Sequence, residues 1–522
     1  MGEVTSPAPA VASRRPDALA GALGAAASLV TLEVVALFDA TGTSVTEAVG
    51  NRFLESFAAS LKEVAVTLFG TNDKAALQIG TAIIAVGIGA FLGSKVARRP
   101  NLVLGGFAGF GLVGIVASAA DPQASLALAV VGCVVAALVG GVVTIGLHRR
   151  WAGISTAAKS DQIAGSALAR RTVLVNGGVT AVALLFTTLV ARSVRDSLRT
   201  TASTVRRVLP RATPKIDVPT ATLDTGARAV EGISPFVTPT DDFYRIDTAL
   251  RVPIVDVDSW TLKITGMVDR ELEFTYDDLL ARDLIEVPIT MLCVSNVVGG
   301  DLVGTARWIG VPLKELLEEA GVQAGAEQVM GESVDEFTAG FPVEAALDGR
   351  DALLVVGMND APLPAEHGFP ARLVVPGIYG YVSATKWIKE IRLTTWDEQG
   401  FWVPRGWSRL GPIKTSSRID VPATSSVAVG EQAVAGVAWA PTKGIRSVEV
   451  QVDDEPWVEA QLGPTASDDT WVQWWYRWDA PKGPHTLRAR ATDGDGVTQT
   501  AERSRPDPNG ATGHHQIEVE VT

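Results

Sequence analysis

Met358-Asn359-Asp360-Ala361-Pro362-Leu363-Pro364, His367-Gly368-Phe369-Pro370-Ala371-Arg372, Val374-Val375-Pro376-Gly377 and Lys386-Trp387 follow one another in this chain. The reading of the fold turns on this stretch. An imidazole, a guanidinium and an ammonium stand among Gly- and Pro-rich turns, with Ser383 and Thr385 just ahead of the lysine. Such groups suit phosphate or another anion, which they meet with charge-assisted hydrogen bonds. The same residues also fit a surface ion-pair network around a core tryptophan. Just upstream, Asp351 to Val356 reads as a buried strand, and Arg372 to Val375 as another, stopped by Pro376-Gly377.

Working outward, Cys293 follows an apolar strand, Val287 to Leu292, and enters Val294-Ser295-Asn296-Val297-Val298-Gly299-Gly300. A cysteine at a strand end before a glycine-rich loop can present sulfur to a ligand while backbone amides come close. As a thiolate it would bind a soft or high-valent metal. A buried packing cysteine is the alternative. Zinc has no support, because no second cysteine or histidine lies at ligand spacing. The chain has two cysteines, and Cys133 lies inside an apolar run, so a disulfide with Cys293 is excluded.

Around this core the pattern is mixed. Trp260 to Ile264 alternates like a strand closed by Gly266, while Tyr276 to Arg282 and Leu313 to Ala320 read as short helices. No βαβ unit repeats, so residues 236–419 are expected to be α+β. From residue 420 the texture changes. Ser447 to Val452, Trp471 to Trp478 and His485 to Ala491 are strands separated by turn residues, which predicts an all-β, immunoglobulin-like sandwich over 420–522.

Residues 1–192 differ from the rest. Five stretches, 19–38, 75–93, 102–120, 125–147 and 172–191, approach the ~20 apolar residues needed to cross a bilayer, the first interrupted by Glu33. Phe53, Leu54, Phe57, Leu61, Val64 and Leu68 predict an amphipathic helix on the membrane surface. Basic residues flank the spans at Arg14-Arg15, Lys95 to Arg99 and His148 to Arg171, which puts the N-terminus inside and, after five crossings, the following domain outside. Arg192, Arg195, Arg199, Arg206 and Arg207 argue the other way. Arg170-Arg171 before the fifth apolar run fits either simple flanking or a twin-arginine export signal. Transmembrane haem requires paired histidines, and His148 at a span end is the nearest one, so the spans read as an anchor or docking surface. Residues 193–235, rich in Arg, Thr, Ala and Pro, read as a linker. Net charge is -13 and no basic block alternates with aromatics, which argues against nucleic acid.

The spaced set from Met358 to Trp387 resembles the molybdopterin-binding core of the sulfite oxidase family. Cys293 falls where that family places its molybdenum-ligating cysteine. Ala306-Arg307-Trp308-Ile309-Gly310-Val311-Pro312-Leu313 resembles the family segment that follows, and Phe243-Tyr244-Arg245-Ile246-Asp247 the opening pterin contact. The C-terminal strands are similar to the family's sandwich, a dimerisation domain in several members. The resemblance covers residues 236–522 and is silent on the spans.

It implies a molybdenum-molybdopterin cofactor, oxygen-atom transfer on a small-molecule substrate, a separate electron donor or acceptor, and a homodimer through the C-terminal domain. Cys293 would ligate molybdenum. Tyr244, Arg245, Ser333, His367, Arg372, Ser383, Thr385 and Lys386 would hold the pterin and its phosphate. Asn296 and Trp308 would line the approach to the metal. Sulfite oxidases follow their cysteine with Gly-Asn-Arg-Arg, whereas this chain has Ser295-Asn296-Val297-Val298. The lost positive charge favours a neutral or organic sulfur-type substrate over a dianion, as in the family's periplasmic methionine sulfoxide reductases. The competing expectation is a non-catalytic membrane protein that keeps the fold for binding or assembly.

Overall fold

The computed structural model describes residues 15–39, 42–53, 73–158, 164–204, 208–219, 230–249 and 251–522. These fall into two compact units, one of Met1–Thr204 with Ala249–Ile254, the other of Val205–Thr248 with Val255–Thr522.

The first unit is helical. Its long helices are α1 (Arg15–Val35), α2 (Asp73–Gly93), α3 (Pro100–Ala119), α4 (Leu126–Ala158) and α5 (Ala164–Thr204). Five segments, Pro16–Phe38, Ala76–Gly93, Pro100–Ala119, Leu126–Ala152 and Gly177–Arg195, are long and apolar enough to cross a membrane, and they overlie the five stretches read from sequence. The expected surface helix beyond Phe53 lies outside the described residues. Helix α5 has 41 residues, roughly 60 Å, about twice the hydrocarbon thickness. It therefore runs on to Thr204, and the expected linker from residue 193 begins as helix.

Among the described residues of this unit, buried charges come in pairs. Glu33 is 3% exposed, accepts a 2.7 Å hydrogen bond from the Thr46 hydroxyl and lies 3.5 Å from Arg192. Arg195, 1% exposed, meets Glu47 at 3.2 Å. Two of the arginines that argued for an inside flank thus have carboxylate partners within the helical unit. Arg206 and Arg207 lie outside the described residues.

The second unit opens with a six-stranded sheet. Thr213–Pro214, Ile285–Leu292, Val303–Pro312, Leu353–Met358 and Arg372–Val374 follow in that order, with Ala361–Pro362 pairing Leu353–Met358. All pairings are antiparallel except that of Thr213–Pro214, so part of the expected linker becomes an edge strand. Leu353–Met358 is buried throughout because every residue but Gly357 is apolar. The other sheet, of five strands, is mixed. Ile388–Thr394 runs parallel to Thr261–Gly266 and antiparallel to Gln328–Ser333.

The short helices form where their signals lie. Thr275 and Asp278 make a reciprocal capping box on Tyr276–Leu280, and Gly321 ends Leu313–Ala320 in a left-handed conformation. The result is α+β.

The C-terminal residues form a four-stranded and a five-stranded sheet around a shared core that includes Val434, Val448, Trp474, Leu487 and Val519. Strand Ser416–Val421 straddles the expected boundary at 419/420. The Trp471 amide donates to the Thr290 hydroxyl at 2.7 Å, and its indole N–H to the Phe236 carbonyl at 2.8 Å. Leu292 and Val294, either side of Cys293, share a core cluster with Trp439 and Trp471. The sandwich is therefore packed directly against the cysteine strand.

Candidate functional site

Strand Ile285–Leu292 delivers Cys293 to a tight turn. The Cys293 amide donates to the Leu302 carbonyl at 3.0 Å, its carbonyl accepts from the Asn296 amide at 3.0 Å, and the Ser295 amide points at Sγ from 3.4 Å. Asn296 is 7% exposed, and its side-chain oxygen takes the Leu302 amide at 2.9 Å. That bond closes the loop after the cysteine.

The sandwich holds the same loop from outside. Arg418 donates to the Gly300 carbonyl and to the Ser234 hydroxyl, each at 2.8 Å, while its Nε meets Asp420 at 2.6 Å. The His515 ring lies against Gly299, where a Cβ would sit 2.2 Å from the ring and where φ is +78°. Only glycine fits both the conformation and the contact. Val297 is 55% exposed on this loop, and Val298 is half-buried.

Across from it stands the cationic cluster. Gly368, at φ +111°, allows Arg372 and Lys386 to converge, since a Cβ there would lie 3.0 Å from the Lys386 Cβ and 3.2 Å from that of Arg372. Arg372 is 5% exposed. Its guanidinium donates to the His367 carbonyl at 3.1 Å, approaches Met291 Sδ at 3.9 Å and sits 5.2 Å above the Trp308 ring. Among the described residues no carboxylate pairs with it. Burial lowers its pKa to about 10, partly offset by the Tyr244 hydroxyl.

Lys386 reaches Asp247 at 3.1 Å and the Glu366 carbonyl at 3.2 Å. Burial lowers its pKa to about 8, and Asp247 opposes that shift. Arg245, more exposed, donates to the same Asp247 oxygen at 3.0 Å. His367 Nε2 lies 3.1 Å from the Thr240 carbonyl, which can only accept, so Nε2 carries the proton. Burial, then Arg372, pull its pKa down to about 4, so the ring is neutral at pH 7.

Tyr244 stacks on Phe243, and its hydroxyl is held protonated by burial and by the nearby Cys293 sulfur, against the pull of Arg372. These three groups thus share one electrostatic environment. Trp308 is wholly buried and donates to the Ile289 carbonyl at 3.2 Å, so it underlies Arg372 and faces no solvent. The Ser383 hydroxyl is spent on the Ile378 and Tyr379 carbonyls, both at 3.2 Å. The Ser333 hydroxyl accepts the Asp335 amide at 3.4 Å, at the strand end whose Val334 amide bonds the Trp387 carbonyl at 2.9 Å. Thr385 Oγ1 is buried without a hydrogen-bond partner among the described residues.

Three neighbours were not singled out from sequence. Asp247 bridges Arg245 and Lys386. Burial raises the Asp335 pKa, further raised by Asp247 and lowered by Lys386. Tyr379, 4% exposed, is pushed up to about 12 by burial and also feels Cys293. Asp247 lay inside a quoted motif, so its charge there was the available signal. Arg418 and His515 had none, because a polar residue on an alternating strand reads as solvated.

Residues 249–402 match the family described as oxidoreductase molybdopterin binding domain, a span that begins after Tyr244 and Arg245. Sulfite oxidase of Arabidopsis thaliana is 28% identical over 300 residues, 46% of this chain and 76% of that protein. An NADH nitrate reductase of Brassica napus is 30% identical over 194 residues, 32% of this chain, which spans only 21% of that enzyme's length. The sulfane dehydrogenase SoxCD of Paracoccus pantotrophus shares the fold, with a TM-score of 0.50 and 23% identity over 55% of this chain and 82% of that one. Residues 249–402, with the cysteine loop and the cationic cluster on them, thus form a molybdopterin-binding oxidoreductase domain similar to that of sulfite oxidase.

Proposed function

We propose that this chain is a membrane-anchored molybdopterin-dependent oxidoreductase. It would transfer an oxygen atom to or from a small, neutral or organic sulfur-type substrate and exchange electrons with a separate partner. The observation that carries this reading is Arg372, a buried guanidinium without a carboxylate partner among the described residues. A buried charge calls for a counter-ion, and the phosphate of a pterin cofactor is one.

Other groups fit the same cofactor. Thr385 offers a buried hydroxyl with no partner. Neutral His367 has its Nδ1 left to accept. Lys386, Arg245 and Tyr244 complete the holding set, while Ser333 and Ser383 support its walls. Cys293 would supply the thiolate to molybdenum, which brings the oxygen-atom and electron chemistry. Asn296 would fix the cysteine loop, and Trp308 would position Arg372 from below.

The substrate reading rests on charge. Val297 and Val298 bring none to the loop, and Arg418, which does reach it, is paired with Asp420. A dianion would find little there to replace its hydration. Membrane attachment rests on the five apolar helices.

Molybdenum and pterin analysis of the purified full chain, combined with turnover on sulfoxides and sulfite, tests the proposal. Wild type should hold both components and favour a neutral substrate. Cys293→Ala should lose turnover while keeping some pterin. Arg372→Met should lower pterin content. Wild-type protein without metal, under conditions that load other molybdoenzymes, would overturn the reading.

A further inference from the structure

The helical unit contains a chamber of about 380 Å3 between α1, α2, α5 and the helical residues 45–53. Its lining is graded along the helices. Leu23, Ala26 and Val30 of α1, Val86 of α2 and Leu185 of α5 make apolar walls. Glu33 late in α1, Thr46 and Glu47 just after it, Gln78 early in α2 and Arg192 late in α5 gather at one end.

Most polar groups there are satisfied. The Thr81 and Thr188 hydroxyls bond their own helices at 2.9 Å. Glu47 holds Arg195. Among the described residues two atoms are not: Glu33 Oε2, on a residue 3% exposed, and Arg192 Nε are buried with no hydrogen-bond partner. The polar end thus offers one open acceptor and one open donor, on side chains whose charges already offset each other at 3.5 Å. Leaving a polar atom unmet in an apolar site is costly, so a ligand that meets both is favoured. Such a ligand needs a neutral head with a hydroxyl to give and an oxygen to receive, and an apolar body. An anionic head would face Glu33 and Glu47.

We propose that this chamber binds a lipid-soluble hydroquinone, one ring hydroxyl donating to Glu33 and the other ring oxygen accepting from Arg192, with the tail along the apolar walls; the oxidised quinone, which has no hydroxyl to give, would meet Arg192 alone. The volume suits a substituted ring, lying within the usual ~300–1,000 Å3 of small-molecule sites. The binding claim rests on the helical unit alone. The choice of a redox-active ring over another hydroxylated lipid rests on the proposed function, whose domain needs a separate electron partner.

The test is equilibrium binding of radiolabelled decyl-benzoquinone and its reduced form to the full chain in detergent. Wild type should bind saturably, near one per chain. Glu33→Gln should weaken the reduced form at least tenfold. Ala82→Trp, on the chamber wall, should abolish binding of both forms at wild-type molybdenum content. The inference fails if wild type shows no saturable binding, if Ala82→Trp binds like wild type, or if diacylglycerol displaces the ring compound as well as unlabelled quinone does. Molybdenum measured on the same samples separates the two readings. Loaded protein that ignores quinone sinks only this inference, and quinone-binding protein without metal sinks only the proposed function.

Discussion

His367 illustrates how a single residue in this site couples to pH. Its pKa falls from 6.5 to about 4 in the folded chain. Between those values the unfolded chain holds a proton that the folded chain does not. Stability is therefore full above about pH 6.5 and falls as pH drops toward 4, by about 3 kcal/mol if the whole shift is realised. Thermal unfolding followed across that window should show the decline in wild type and a shallower one in His367→Gln. Equal slopes would mean that the ring is not held neutral. The residue's place in a Gly-Phe-Pro context was readable from sequence. Its tautomer was not, because the Thr240 carbonyl that sets it lies 127 residues away.

At the scale of elements, the loop after Cys293 is clamped by a different sheet. Gly299→Ala would force a side chain into the His515 ring and hold a left-handed conformation that costs about 1–3 kcal/mol. Reduced molybdenum content at unchanged expression is the expected outcome. Full loading would show that the loop tolerates displacement. In the helical unit, Glu47→Gln would strip Arg195 of its carboxylate at 1% exposure. A buried charge left alone costs about 3–5 kcal/mol, and adding Arg195→Met should recover the part of the loss due to Arg195, while Arg251, which also pairs with Glu47, stays without it. A double variant as unstable as the single one in a detergent melting assay would place the cost elsewhere. Individual elements were largely legible: Thr275 with Asp278, Gly321 after Ala320, and the alternation of Ser447 to Val452 each mark what forms there. The end of α5 was not, because Arg- and Thr-rich residues to Thr204 read as linker when judged by composition alone.

For the whole molecule, the spans predict a protein that alkaline carbonate does not extract from membranes. Five crossings predict that protease added to intact cells cuts a tag at the C-terminus. Protection of that tag would reverse the orientation. If Arg170→Lys with Arg171→Lys leaves the tag outside, those arginines serve only as flanking charge. The arginines that argued against this orientation lose part of their weight, since Arg192 and Arg195 face Glu33 and Glu47.

By itself the sequence determined the contrast between an apolar helical part and a sheet-rich remainder, with five apolar helices among the described residues, and it offered candidates for the chemistry-bearing groups. These are local properties: periodicity, hydropathy and motif spacing need no partner from elsewhere. Tertiary structure decided which groups meet. It left Arg372 buried without a carboxylate among the described residues, drew Tyr244 and Tyr379 into the field of Cys293, and set Arg418 and His515 from the sandwich onto the cysteine loop. It also turned Glu33 from a blemish in a span into the polar end of a chamber. The physical reason is common to all of these. Desolvation and charge pairing depend on distances between residues far apart in the chain, and only the folded backbone sets those distances.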